Sequence, residues 1–256
     1  MENKDLPFIS CKCITYGRIH LLEEAVKSFL IQDYPSDKCE LIIVNDYSLQ
    51  KIIFDHPQIK IFNLDTVFET LGDKENFATE QCKGDIIHQW DDDDVALSNH
   101  FRNVAKYWKE DTFLIQWHCG ILYNEPEISA ITGLGNAGMV YSKKAWEAVG
   151  KYKKENAGHD MTFLMSIRIK FPNRCVSADP INDEVSYLYM WGGRGYHASG
   201  QGTDTPDRQN VIVRHQIHIE GLRAQGLIPT GDIILAPNWK KDYKQLLIDY
   251  NNKNQK

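Results

Sequence analysis

Residues 88–97, HQWDDDDVAL, run an apolar strand straight into four consecutive carboxylates, Asp91 to Asp94. Carboxylates a few ångströms apart repel by about 1 kcal/mol per pair in water, and by more where solvent is partly excluded. Two arrangements offset that cost. One is a solvated acidic loop; the other is a divalent cation, which turns the repulsion into ligation by hard oxygens. A further carboxylate, Asp46, closes the apolar run ELIIVND (40–46), and the loop WGGRGYHASGQ carries Arg194 and His197 among glycines. Its GGRG spacing lacks the GxGxxG pattern, so a dinucleotide fold is not indicated.

The elements that must position these residues alternate. FISCKCITY (8–16) is a β-rich run ending at Gly17, and LLEEAVKSFLIQ (21–32) sets Leu22, Ala25, Val26 and Phe29 at helical spacing. ELIIVND then suits a strand covered on both faces, completing a βαβ unit. IKIFNL (59–64) predicts a third strand, NFATEQCK (76–83) a short helix ended by Gly84, and DIIHQW (85–90) a fourth strand. Such alternation implies a mainly parallel α/β sheet, in which ligands bind beyond the carboxyl ends of the strands. Asp46 and Asp91 to Asp94 both fall there, facing one crevice.

The second half reads differently. FLIQWHCGILY (113–123) and ISAITG (128–133) suit antiparallel strands, and GNAGMVYSKKAWEAVGKY (135–152) suits a strand and a short helix. HDMTFLMSIRIKF (159–171) predicts a helix, residues 207–225 a terminal helix, and NNKNQK a frayed tail. No repeat or low-complexity linker marks a second domain.

With 256 residues, 42% hydrophobic and 25% charged, the chain can bury a sizeable core, and a single domain is expected. The formal charge of −6 gives no global electrostatic reason to bind nucleic acid. Six cysteines form no CxxC pair, which suits reduced intracellular thiols. The start MENKDLPF has no apolar signal core, and no run approaches the roughly 18 apolar residues needed to cross a bilayer. A cytoplasmic protein without a transmembrane segment is the expectation.

The order of the segments ISCKCITYGRIHLLEEAVKSFLIQDYP, ELIIVNDYS, LGDKENFATEQCKGDIIHQWDDDD, GNAGMVYSKKAWEAVGKY and the pair His159–Asp160 resembles the family 2 glycosyltransferases of GT-A fold. The resemblance covers about residues 7–200. It implies an α/β, Rossmann-like three-layer sandwich with a mainly parallel central sheet and a smaller antiparallel acceptor-side part. One domain over 1–256 follows, with a nucleotide-binding half at about 7–98, an acceptor-side half at about 99–200 and a C-terminal extension at about 201–256.

By the same resemblance the DxD element falls within Asp91, Asp92 and Asp93. Asp93 is the expected ligand of Mn²⁺ or Mg²⁺, with Asp91 beside it and Asp92 near the donor ribose or metal; Asp94 braces the turn. Asp46 would accept a hydrogen bond from the nucleotide base, with Thr15 and Tyr16 flanking that base. Lys74 and Asn76 sit where relatives carry groups near the donor diphosphate, but Glu75 stands where arginine is frequent, which departs from the pattern. Asp160 matches the catalytic base, in a pair that is His-Asp here rather than Glu-Asp; it could also cap its helix. Arg194 could meet phosphate and His197 metal or phosphate, in a loop that folds over the donor.

The implied activity is metal-dependent inverting transfer of a sugar from a nucleoside-diphosphate donor, UDP-linked in most relatives, to a hydroxyl of a glycan or other acceptor. Acceptor specificity is expected in loops at 118–136 and beyond 195. Two alternatives stay open. A sugar nucleotidyltransferase would carry a glycine-rich, basic signature beside the first strand, where TYGRIHLLEEA stands; a degenerate member would bind nucleotide or glycan without transfer.

Overall fold

A computed structural model describes residues 6–123, 127–133, 136–178, 185–191 and 211–254. Its centre is a seven-stranded sheet in the order β11-β7-β10-β5-β1-β2-β4. These strands are β1 (Ile9–Thr15), β2 (Cys39–Asn45), β4 (Ile59–Asn63), β5 (Ile86–Gln89), β7 (Leu114–Gln116), β10 (Val140–Ser142) and β11 (Cys175–Ser177). β1 runs parallel to both β2 and β5, and β2 to β4, while β10 is antiparallel to β5 and β7.

Alternate residues of the strands feed two apolar layers, as the period of two requires. Cys11, Leu41 and Ile43 face one layer, closed by α1 (Ile19–Leu30) and α3 (His100–Tyr107) through Leu22, Val26, Phe29 and Phe101. Ile42, Val44 and Ile87 face the other, closed by α2 (Leu71–Gln81), α4 (Lys143–Ala148) and α5 (His159–Lys170) through Ala78, Trp146 and Phe163. This is the three-layer sandwich expected. The six cysteines are unpaired, and five are buried.

Several boundaries differ from the sequence reading. α2 begins at Leu71 rather than 76, because Thr70 caps it: its Oγ1 accepts from the Asp73 amide at 3.1 Å. The run 113–123 breaks into β7 and β8 (His118–Tyr123), which leaves the main sheet for a second one, ordered β6-β12-β8-β9. In it β9 (Ile128–Gly133) and β6 (Val95–Ala96) make antiparallel pairs with β8 and β12 (Tyr187–Trp191), but β12 and β8 run parallel, so this part is mixed. The helix read at 207–225 is α6 (Val211–Ala224), and it is not terminal. β13 (Gly231–Ile234) pairs with β3 (Gln50–Ile53), and α7 (Tyr243–Asn254) packs Tyr243 and Leu247 against the second sheet. Residues 251–254 of the tail are helical rather than frayed. Among the described residues no helix is long and apolar enough to cross a membrane.

Candidate active site

β1, β2 and β5 lie side by side and parallel, so their carboxyl ends open on one edge. The chain leaves β1 for β2 on one side while β5 lies on the other, the place where open α/β sheets bind ligands. A cleft of about 180 Å³ opens there, lined by Thr15 at the end of β1 and Tyr16 after it, by Asp91, Asp92 and Asp93 after β5, and by Asp160 from α5.

The four carboxylates have four different fates. Asp91 Oδ1 accepts from Gln89 Nε2 at 2.8 Å. Both oxygens of Asp92 are taken by Arg18, through Nε at 3.1 Å and through Nη2, while Arg18 Nη1 reaches Asp93 Oδ2 at 3.1 Å. Asp94 faces away from the cleft, accepting from the Tyr187 hydroxyl and the Met190 amide, each at 2.9 Å, which braces the turn onto β12. Burial first, and then the charge of Asp93, pushes Asp91 up to about 7. Burial also raises Asp92, to about 6, against the opposing pull of Arg18. One guanidinium therefore does not neutralise the run, and a solvated loop is not what the chain builds.

Beneath the cleft lies a buried ion pair. Lys12 on β1 and Glu75 on α2 are in direct contact, and Lys12 Nζ also donates to Gln89 Oε1 at 2.5 Å. The same Gln89 gives its amide protons to Glu75 at 3.1 Å and to Asp91, which sets the orientation of its side chain. Burial alone would raise Glu75, but Lys12, and then His159 with Nε2 3.8 Å away, hold it down at about 2. This answers the departure at position 75: the carboxylate is matched by a lysine from β1 and forms part of the floor under Asp91.

An apolar slot adjoins the cleft, walled by Tyr16, Val67, Phe68 and Leu71, with Asp46, Lys74 and His215 at its polar edge. Asp46 lies at that edge with both oxygens engaged: Oδ2 accepts from the Phe68 amide at 3.1 Å, and Oδ1 contacts Lys74. Lys74 is buried and also donates to the Thr15 carbonyl at 2.7 Å, so it ties β1 to Asp46. Asn76 is committed elsewhere. Its Oδ1 accepts from Trp146 Nε1 and the Tyr152 amide, and its Nδ2 donates to the Tyr152 carbonyl, all within 3.0 Å.

Asp160 stands in the first turn of α5, but the cap of that helix is Gly158, whose φ of 73° favours glycine. Asp160 is thus not the N-cap residue, but it does satisfy one of the unpaired first-turn amides of the helix. Its Oδ2 contacts Asn136 Nδ2, and its Oδ1 accepts from the Met161 amide at 2.7 Å, which orients the carboxylate toward the cleft it lines.

Arg18, Lys12, Gln89, Asn136, Tyr189 and His215 belong to this site and were not picked out from the sequence. A lysine inside an otherwise apolar strand was the one local signal, at Lys12. His215 comes from α6, packs 5.7 Å from the Tyr16 ring, and makes the C-terminal segment a wall of the slot. Burial, with Arg18 and Lys74 nearby, lowers it to about 3, so it is neutral. Arg194 and His197 lie outside the described residues.

Among the described residues, no three His, Cys, Asp or Glu side chains gather to hold a metal unaided. Asp91 and Asp93 nonetheless fit an ion of the Mg²⁺ or Mn²⁺ type, which is held by one or two carboxylates and completes its shell with water and substrate phosphates.

The model for "Glycosyl transferase family 2" matches residues 12–168. Among solved structures the chain is similar to S. aureus TarS 1-349 in complex with UDP-GlcNAc, at 15% identity and TM-score 0.61, covering 96% of this chain and 72% of that one. It is similar to TarS 1-349 in complex with UDP at 16% identity and TM-score 0.58, covering 72% and 60%. It is also similar to the mannosyltransferase PcManGT from Pyrobaculum calidifontis in complex with GDP-Man and Mn²⁺, at 15% identity and TM-score 0.56, covering 97% and 70%. The chain spans 60% of the length of TarS 1-349 without ligand and 36% of the longer TarS structure. No curated protein matches in sequence.

Proposed function

The chain belongs to glycosyl transferase family 2, and from that premise we propose that it moves a sugar from a nucleoside-diphosphate donor, UDP-linked, to a hydroxyl of a glycan or other acceptor, with inversion. The observation that carries this reading is the convergence of Asp160, the carboxylates Asp91 to Asp93 and an apolar slot on one edge of the sheet. TarS bound to UDP-GlcNAc and PcManGT bound to GDP-Man support a nucleotide-sugar donor.

In this reading the base enters the slot beside Tyr16 and Phe68, where a flat apolar group fits, and Asp46 with Lys74 marks its polar edge. Thr15 lines the adjoining cleft. Asp160 takes the proton of the acceptor hydroxyl as its oxygen bonds the anomeric carbon, while the bond from that carbon to the diphosphate oxygen breaks on the opposite face. The hydrogen bonds from Asn136 and the Met161 amide hold the carboxylate in place to accept that proton. Asp93 and Asp91 would hold Mn²⁺ or Mg²⁺, which would supply positive charge for the departing diphosphate. Nothing in TYGRIHLLEEA, which turns through Gly17 into α1, forms the phosphate loop of a nucleotidyltransferase.

A thermal-shift screen of nucleotide sugars with and without Mn²⁺ tests the reading, since a ligand that binds only the native state raises stability by RT ln(1 + [L]/Kd). One donor should raise the melting temperature, and more so with Mn²⁺. No shift with any nucleotide sugar would count against it.

A further inference from the structure

Arg18 is held in the cleft by its backbone and committed by its side chain. Gly17, at φ 70°, turns the chain out of β1; a Cβ there would be strained at that φ and would lie 2.7 Å from Cγ2 of the Ile219 side chain on α6, which would have to shift. Arg18 then caps α1, its carbonyl accepting from the Leu21 and Leu22 amides at 3.0 Å each. The backbone cannot move without unwinding α1, whereas the side chain lines the cleft at 16% exposure. Its fork is uneven. Arg18 grips Asp92 through both oxygens, but gives Asp93 a single bond, at 3.1 Å. Asp93 is also the more exposed of the two, 9% against 1%.

We propose that Arg18 is a resident cation of the donor cleft: it holds Asp92 and Asp93 in place when no divalent ion is bound, and it gives up Asp93 when one enters. The proposal rests on the assignment of Asp93 as a ligand in the preceding subsection. A guanidinium stays charged under all ordinary conditions, so it cannot relieve the conflict by losing a proton. An ion bound to Asp93 would stand within a few ångströms of that guanidinium and repel it. The weaker grip, on Asp93, is the one that yields. A diphosphate entering the same cleft offers the released nitrogens new oxygens in the geometry a guanidinium prefers. Divalent ion and nucleotide should therefore strengthen each other's binding, with Arg18 carrying part of the coupling. Without nucleotide Arg18 is a positioning residue that acts through Asp92 and Asp93; with nucleotide bound its released nitrogens also meet the diphosphate.

The test is a Mn²⁺ titration of the whole chain followed by electron paramagnetic resonance, first without nucleotide. Arg18→Gln should bind Mn²⁺ about tenfold more tightly than the native chain, because a competing positive charge is gone. Its melting temperature in EDTA should be lower, and Mn²⁺ should raise it further than in the native chain. Arg18→Lys, which keeps one charge but cannot fork onto two carboxylates, should fall between them and serves if the glutamine variant does not fold. With UDP added, the gain in Mn²⁺ affinity should be smaller in either variant than in the native chain. Equal Mn²⁺ affinity in the native chain and both variants overturns the role of Arg18 while leaving the metal site standing. Absence of Mn²⁺ binding in all three, with UDP present as well, removes the metal site and the proposal together.

Discussion

Lys12 and Glu75, 63 residues apart in sequence, form a buried ion pair whose lysine also lies 4.7 Å from the centroid of the Tyr152 ring. Through Gln89 the pair supports Asp91, so the floor of the cleft and its acidic rim are one hydrogen-bonded unit. Lys12→Met should leave the Glu75 carboxylate buried without its counter-charge and cost about 3–5 kcal/mol in urea unfolding. The double variant Lys12→Met, Glu75→Met should recover most of that loss. If the double variant is as unstable as the single one, the pair is not the reason.

Asp160 separates chemistry from folding. Because asparagine keeps an acceptor oxygen for the Met161 amide, Asp160→Asn should leave the melting temperature nearly unchanged while transfer slows by about 10² to 10⁴-fold. Donor affinity, measured by calorimetry, should hold. An asparagine variant of normal turnover would refute the assignment of the base.

Asp46→Ala should weaken nucleoside-diphosphate binding by about 1.5–3 kcal/mol, the worth of a hydrogen bond to a charged group. Mn²⁺ binding without nucleotide should persist, since Asp46 follows β2 and the acidic run follows β5. An unchanged dissociation constant would reduce Asp46 to a structural partner of Lys74 and the Phe68 amide.

His88 and His100 predict a pH dependence. His88 Nδ1 lies 2.6 Å from the Gln89 carbonyl, which can only accept, so that nitrogen carries the proton. His100 must then donate through Nε2 to His88 Nε2, 2.6 Å away, and accept at Nδ1 from the Ser186 hydroxyl. Both rings are neutral. Burial lowers His88 to about 3 and lowers His100 as well, the latter also through His88. The unfolded chain therefore takes up protons below about pH 6.5 that these two folded rings refuse, so their contribution to stability falls as pH drops from there toward 3, while the raised Asp91 and Asp92 act in the opposite direction over the same window. The slope is about 1.4 kcal/mol per pH unit for each histidine. Glu75, held near 2, adds loss in the same direction at the acid end, below about 4.5. Urea unfolding at pH 7, 6 and 5 should show a shallower slope in His88→Gln; an identical slope would mean that the pair does not titrate on unfolding.

What could be read from the sequence was local. Alternating and 3.6-residue apolar periods are imprinted by the faces that strands and helices bury, so β1, α1, β2, β4, β5 and α5 were legible from Ile9 to Lys170. The acidic run was legible because four adjacent carboxylates need a reason wherever they stand. α2 was placed late because LGDKENFATEQ is polar and its start is set by the Thr70 cap. The break of 113–123 was not visible, because both halves alternate alike and only the topology sends β8 to another sheet. The partners of the site residues were hidden for the same reason. Arg18 meets Asp92 across 74 residues, and α6 supplies His215 to a slot whose other walls lie before residue 75. Such pairs are made by parallel crossovers that bring distant strand ends to one edge. Side-chain type and spacing set which residues could do chemistry, and the crossovers alone decide which of them meet.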